Sequence, residues 1–284
     1  LFRTGRLEVH CRHRRPAIPV GHGRNPGPDR AGDPQSADRL ESTEVDAGSE
    51  EAISADVIVQ GEPRLEIYTP VTLTADLSAL SEAHKEMVGL LIEAGQLTDD
   101  LFWRQVWGDR DALLDSIDDP ELRRFAVINY GPWDRLDGDR PFMEGFGPRP
   151  PGANFYPRDM TREEFEAWDQ PGKEGEYSLV RRDAAGALVL VPYSEAYQEE
   201  ILAIALLLRQ AADLAEDPGF ENYLRLRADA LLSNNYQPSD MAWMDTKTNL
   251  VELVIGPIET YQDALFGSRA AFETFVLLKD QAWS

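Results

Sequence analysis

Val251–Val276 reads VELVIGPIETYQDALFGSRAAFETFV. Its opening residues, Val251, Leu253, Val254 and Ile255 around a lone Glu252, have the composition of a buried strand. Gly256-Pro257 breaks the run, because proline cannot donate to a ladder. Glu259-Thr260-Tyr261 follows, and the segment then turns into an expected helix. On that helix Arg269 and Glu273 stand four apart, as an ordinary ion pair would. If the 259–261 stretch is extended, Glu259 and Tyr261 project to the same side. From the residues alone, the two read either as strand-end polar groups or as parts of one site.

Upstream, residues 1–55 show neither helical nor strand periodicity and are rich in Arg, Pro and Gly, then in acidic and polar residues. They read as a disordered arm, with order beginning near Val57. His10, His13 and His22 in that arm lack the partner spacing of a metal site. Leu1 stands where a complete reading frame has Met, which points to sequence upstream. A helix is expected from Ser81, with Leu80, His84, Met87, Leu91 and Ala94 on one face and Gly95 closing it. Thr98 then caps a second, short helix over 99–107, ended by Gly108. Two more helical pieces flank Asp119-Pro120. Asn129–Pro157 is a long loop dense in Gly, Pro and aromatic residues. Asp134, Asp137 and Asp139 in it miss the calcium-loop spacing and read as solvated turn residues. Thr161 and Glu164 form a capping box, with Met160 and Phe165 as its staple. A hairpin is expected over 177–191, turning at Asp183–Gly186. The longest expected helix runs from Glu195 to Glu216, apolar nearly all round between Ile201 and Leu208. Another covers 220–232, and Asn234–Pro238 is a loop.

Charge and motifs exclude several functions. The net charge is −23, and because residues 1–50 hold eight basic and eight acidic residues, all of it falls on the remainder. Such a field repels phosphate backbones and anionic lipid, so no nucleic-acid or membrane partner is expected. It welcomes a cationic substrate end such as a peptide amino terminus. No apolar run is long enough for a membrane span. The single cysteine, Cys11, permits no intrachain disulfide, which fits a cytoplasmic protein; a periplasmic or secreted one is the alternative if an upstream signal has been lost. Phosphate-loop, dinucleotide and nucleophile-elbow motifs are absent. No histidine follows His84, which removes Ser-His-Asp chemistry and a histidine-ligated metal from the rest of the chain.

With those exclusions made, 251–276 resembles the dipeptidyl-peptidase III family of zinc metallopeptidases. That family has Glu-Ser-Tyr, then Arg-Asp-Pro-x-Gly-x-Arg and Phe-Glu-Gly-Phe-Val. This chain has Glu259-Thr260-Tyr261-Gln262-Asp263, then Phe266-Gly267-Ser268-Arg269 and Phe272-Glu273-Thr274-Phe275-Val276. The stretches 129–142 and 152–157 are similar to the divergent branch of the family, some of whose members carry a Nudix domain in front; no Nudix box occurs here. The resemblance implies an α+β fold, helix-rich, with short antiparallel strands forming a small sheet or barrel core, the lower lobe of a two-lobed enzyme. It implies Tyr261 as the catalytic residue that polarises the scissile carbonyl and Glu259 as the acceptor for the substrate's free amino terminus. Asp263 and Arg269 fall on family-like positions, and Asn154 and Tyr156 lie in a loop that lines a cleft or simply packs; all four are candidate substrate-binding residues. Thr260, Gln262 and Ala264 depart from the family's Ser, Arg and Pro, which puts dipeptide-releasing specificity in question.

The family's zinc ligands belong to a His-Glu-…-His motif that this sequence does not contain. The expectation is therefore a partial amino-terminal lobe over 56–284, truncated before the zinc motif. It would bind peptide substrate, hold no metal itself, and be inactive alone, with zinc belonging to the full-length enzyme. The alternative is a non-catalytic peptide-binding or interaction module sharing the fold. Nothing in the sequence speaks to oligomeric state.

Overall fold

A computed structural model of the chain describes residues 61–72 and 74–280. The expected arm over 1–55, with Cys11 and the three early histidines, lies outside the described residues.

After a short 3-10 turn at Leu65–Ile67 comes α1, Glu82–Val106, opened by Ser81, whose hydroxyl accepts from the His84 N–H at 3.1 Å. α1 is one helix of 25 residues, not the two helices expected from Gly95 and Thr98. The reason lies in packing. A Cβ on Gly95 would sit 3.2 Å from the Thr274 methyl, so the glycine lets a strand approach the helix rather than ending it. Thr98 donates its hydroxyl to the Ala94 carbonyl at 2.9 Å within the helix and caps nothing. Met87, Leu91, Ala94 and Leu101 are buried along its inner face. Each fully buried Leu or Met there contributes about 1.5–3 kcal/mol.

α2 (Arg110–Asp115) and α3 (Pro120–Asn129) follow, capped by Asp109 and Asp119. The long loop carries only a two-residue ladder, β1 (Trp133–Asp134) against β2 (Arg140–Pro141). Asp134 is not a solvated turn residue. It is buried and accepts from Arg64 Nε at 2.8 Å and Nη2 at 2.6 Å. α4 (Arg162–Ala167) begins at Thr161, whose hydroxyl accepts from the Glu164 N–H at 3.1 Å, as the capping box requires. The Glu164 carboxylate itself turns to Arg182. β3 (Ser178–Arg182) and β4 (Leu188–Pro192) form the expected antiparallel hairpin.

α5 (Tyr193–Ala196) is separate from α6 (Gln198–Asp213). Burial around α6 is one-sided: Ile201, Ile204, Ala205 and Leu208 face the core, while Leu202 and Leu206 are more than half exposed. α7 (Pro218–Ser233) buries Phe220, Leu224, Ala228 and Leu231 on one side, as its spacing indicates. α8 (Gln237–Asp245) occupies part of what reads as a loop, because Pro238 sits in its first turn, where a missing N–H costs nothing.

The last two elements are strands. β5 (Val251–Glu259) continues through Gly256 and Pro257, and β6 (Ala271–Leu278) replaces the expected helix. They pair antiparallel from Val251 opposite Leu278 to Glu259 opposite Ala271, with an irregularity between Pro257 and Glu259. Gly256, at φ 126°, adopts a backbone that other residues rarely take, which is how the strand passes the Gly-Pro step. The architecture is thus α+β and helix-rich, with three two-stranded antiparallel ladders among the described residues. α1 packs on α6 and on the β5–β6 ladder, α6 on α7, and α7 on α8. One main core joins these elements, and a smaller one sits under α2 and α3 around Phe125 and Phe142.

Candidate functional site

The loop joining β5 to β6, residues 260–270, is organised by Asp263. This carboxylate is 2% exposed. Its Oδ1 accepts from the N–H groups of Leu265 and Phe266, both at 3.1 Å. Its Oδ2 accepts from the N–H groups of Ser268 at 3.0 Å and Arg269 at 3.1 Å, and from the Tyr156 hydroxyl at 2.8 Å. One side chain thus satisfies four backbone donors of a loop with no ladder to use. The Tyr156 phenol is held above its ordinary value, first by burial, so it stays a donor to Asp263.

Arg269 completes this base. It is fully buried, with its guanidinium 5.4 Å from the Tyr156 ring centre and donating to the carbonyls of Lys173 and Gly175. It stands before β6, not on a helix, and Glu273 is not its partner. Gln262, also buried, accepts from Arg135 Nη1 at 2.9 Å and Arg149 Nη2 at 2.8 Å, tying the loop to the 129–157 segment. Phe266 stacks on Phe165 of α4 at 4.2 Å.

The start of β6 is fixed from the other side by Gln105 near the end of α1. Its Oε1 accepts from the Phe272 N–H at 2.7 Å and its Nε2 donates to the Ala270 carbonyl at 3.4 Å. Tyr193 also donates to the Ala270 carbonyl, at 2.9 Å. Gln105 escaped the sequence reading, and Gln262 entered it only as a departure from the family's Arg. Their signal is only a polar residue in a buried register, on an amphipathic helix in one case and beside a motif tyrosine in the other.

Glu259 and Tyr261 behave differently. Both are exposed, Tyr261 at 53%. Glu259 ends β5 and Tyr261 follows two residues on, so they form the exposed rim of the loop, and the Tyr261 hydroxyl donates to Glu273 Oε1 at 2.5 Å across the hairpin. Glu273 is therefore the residue that fixes the phenol. Asn154 lies elsewhere: its Nδ2 donates to the Arg104 carbonyl at 2.8 Å and its N–H to the Gln105 carbonyl at 2.9 Å, at the end of α1. Of the six candidate residues, the fold thus sets Glu259 and Tyr261 on the rim. It buries Asp263, Tyr156 and Arg269 and places Asn154 against a helix end.

Comparison with known proteins fits this motif-bearing hairpin. The model of peptidase family M49 matches residues 179–284, the range holding β3 to β6. The dipeptidyl-peptidase III structure from Caldithrix abyssi is 41% identical, with a TM-score of 0.69 over 74% of this chain and 42% of its own. This chain belongs to the dipeptidyl-peptidase III-like family, peptidase family M49. The dipeptidyl-peptidase III structure from Corallococcus sp. strain EGB is 38% identical, with a TM-score of 0.72 over 76% of this chain and 42% of its own. Nudix hydrolase 3 of Arabidopsis thaliana is 33% identical over 279 residues, covering 76% of this chain and 36% of that protein. The M49 chain described here thus spans well under half the length of these relatives.

The family implies zinc. Among the described residues, no group of three or more His, Cys, Asp or Glu side chains could hold a metal. Their one histidine, His84, is 93% buried near the start of α1, with Nε2 3.8 Å from Glu216. No helix among them is long and apolar enough to cross a membrane.

Proposed function

We propose that this chain is the substrate-binding part of a zinc-dependent peptidase that acts from the free amino terminus of peptides, and that it is inactive alone. The observation that carries this reading is the exposure of Glu259 and Tyr261 together at the edge of a loop whose buried base is tied down by Asp263. A rigid base under two exposed polar side chains is what a binding site needs. Glu259 accepts the substrate ammonium. Tyr261 donates its hydroxyl proton to the scissile carbonyl oxygen and to the oxyanion that develops there. A phenol has one proton to donate. In the structure Glu273 takes it, so a substrate carbonyl replaces Glu273 as the acceptor and Glu273 sets where the phenol waits. Zinc, when present in the whole enzyme, would supply an activated water and Lewis acidity, held by ligands outside the described residues.

Asp263, Tyr156 and Arg269 hold the loop and do not themselves touch substrate. The body over 56–284 is the partial lobe, the arm over 1–55 precedes it, and the compartment is cytoplasmic. The test is peptide binding by the chain itself. A tetrapeptide with a free amino terminus is expected to bind at least about tenfold more tightly than its N-acetylated form, the scale of one charge-assisted hydrogen bond. Glu259→Gln is expected to abolish that preference. Equal affinity of the wild type for both peptides would refute the reading.

A further inference from the structure

A groove of about 640 Å³ opens between the end of α1, the β3–β4 hairpin and α5. Its lining does not include Glu259 or Tyr261. Three arginines face it, Arg104, Arg110 and Arg181. Two are matched by carboxylates: Arg104 pairs with Glu200, and Arg110 with Asp100 and Asp111. Arg181 is not. Its Nη1 donates to the carbonyls of Phe155 at 3.1 Å and Val180 at 2.7 Å, and its Nη2 to the Asn154 carbonyl at 3.0 Å. No carboxylate among the described residues pairs with it.

We propose that Arg181 is the anchor of a carboxylate-binding site in this groove. A guanidinium has five N–H donors, and the three carbonyls take three of them. Nε and one Nη2 hydrogen remain, and those two form the side fork that grips a carboxylate with two parallel bonds. Nε has no protein partner among the described residues, yet it is not among the buried atoms left unsatisfied, so solvent reaches it. The carbonyls lock the guanidinium plane in advance, which removes the ordering cost a free arginine pays on binding. Burial, and to a lesser degree the neighbouring Arg104 charge, disfavour the Arg181 cation, and the three carboxylates that line the groove are engaged elsewhere, Asp100 and Asp111 with Arg110 and Asp109 with the Ala112 N–H. The Tyr197 ring, with Arg104 stacked 4.9 Å above it, gives the groove an apolar wall beside the fork. In a protein of net charge −23, a locally unmatched cation selects an anion only at short range, which favours a small carboxylate such as a peptide carboxyl terminus over a large polyanion.

The inference is independent of the peptidase reading, and its probe keeps the two apart. N-acetyl-glycylglycine has a carboxylate and no ammonium for Glu259 to accept. It is to be titrated into the chain at neutral pH beside its carboxyl-terminal amide, with binding followed by calorimetry. The acid is expected to bind with a Kd of about 1 mM, the affinity of roughly 4 kcal/mol. The amide is expected to bind at least about tenfold more weakly. Arg181→Lys, which keeps the charge and loses the fork, is expected to weaken the acid at least about tenfold; Glu259→Gln is expected to leave it unchanged. Equal binding of acid and amide, no binding of the acid up to about 10 mM, or full affinity in a folded Arg181→Lys chain would overturn the proposal. Should that variant not fold, the acid–amide comparison on the wild type decides.

Discussion

The rim and the base of the 259–273 segment are built from neighbouring residues and obey opposite rules. Tyr156 and Tyr261 show it best. The Tyr156 hydroxyl is sealed against Asp263 and Ser268, its phenol pushed up by burial. The Tyr261 hydroxyl stands at the surface, held by Glu273. Both are tyrosines donating to a carboxylate, and both were candidates for the same site. Burial separates them: one donor secures the loop, the other is open to an incoming acceptor. Residues shared with a peptidase family thus divide into those that keep a loop in shape and those that shape makes available.

The sharpest way to break this division is at the centre of the base. Asp263→Ala removes six hydrogen bonds, four of them from backbone N–H groups of the loop. A loss of about 3–5 kcal/mol is expected, the scale of several buried donors left without an acceptor. Chemical denaturation reads it directly, and a loss below about 1 kcal/mol would mean the loop does not depend on Asp263. Next comes the contact that lets α1 meet β6. Gly95→Val forces methyl groups onto Thr274 and is expected to cost about 1–3 kcal/mol by overpacking, despite the better helix propensity of valine. A neutral or stabilising result would show that α1 and β6 can separate.

A subtler effect is alkaline. Burial raises the phenols of Tyr156, Tyr193, Tyr197, Tyr223 and Tyr236. A group whose pKa is raised by folding adds stability that is complete below its unfolded value and is lost as pH rises through the folded one. Stability should therefore fall once pH passes about 10, where the unfolded tyrosines ionise. The Tyr223 phenol, pushed up to about 12, should yield within that window, first among those with a resolved position. Flat stability between about pH 9 and 11.5 would contradict the burial of these rings. The smallest effect is expected at Thr161→Ala, about 1 kcal/mol for a lost helix cap, read by the same denaturation.

Much of the helical frame is legible in the sequence, since caps and one-sided apolar spacing act locally. Ser81 and Thr161 each accept the backbone N–H their position demands. The errors arise where a distant partner decides. Gly95 reads as a stop because only Thr274, far along the chain, shows that it is a point of close approach. β6 reads as a helix because Ala271–Leu278 is apolar on both faces: Phe272 is buried while Phe275 and Leu277 are half exposed. No alternation of polarity then marks the strand period. Ile201–Leu208 likewise reads as buried all round, and the structure leaves Leu202 and Leu206 outside. At the candidate site, the motif draws attention to Glu259, Tyr261, Asp263 and Arg269 together. Which of them face solvent follows only from the hairpin, and neither Glu273 as the acceptor for Tyr261 nor Gln105 as the clamp on β6 could be paired without it.

The division between rim and base is tested most directly by measuring two conservative variants side by side, Tyr261→Phe and Tyr156→Phe, each for unfolding free energy and for affinity toward a tetrapeptide with a free amino terminus. The account predicts opposite outcomes. Tyr156→Phe lowers stability by about 1–3 kcal/mol by leaving Asp263 short of a donor, with affinity in the folded state little changed. Tyr261→Phe leaves stability within about 0.5 kcal/mol and weakens the peptide several-fold. The reverse pattern, or a Tyr261→Phe chain that binds the peptide as the wild type does, would contradict it.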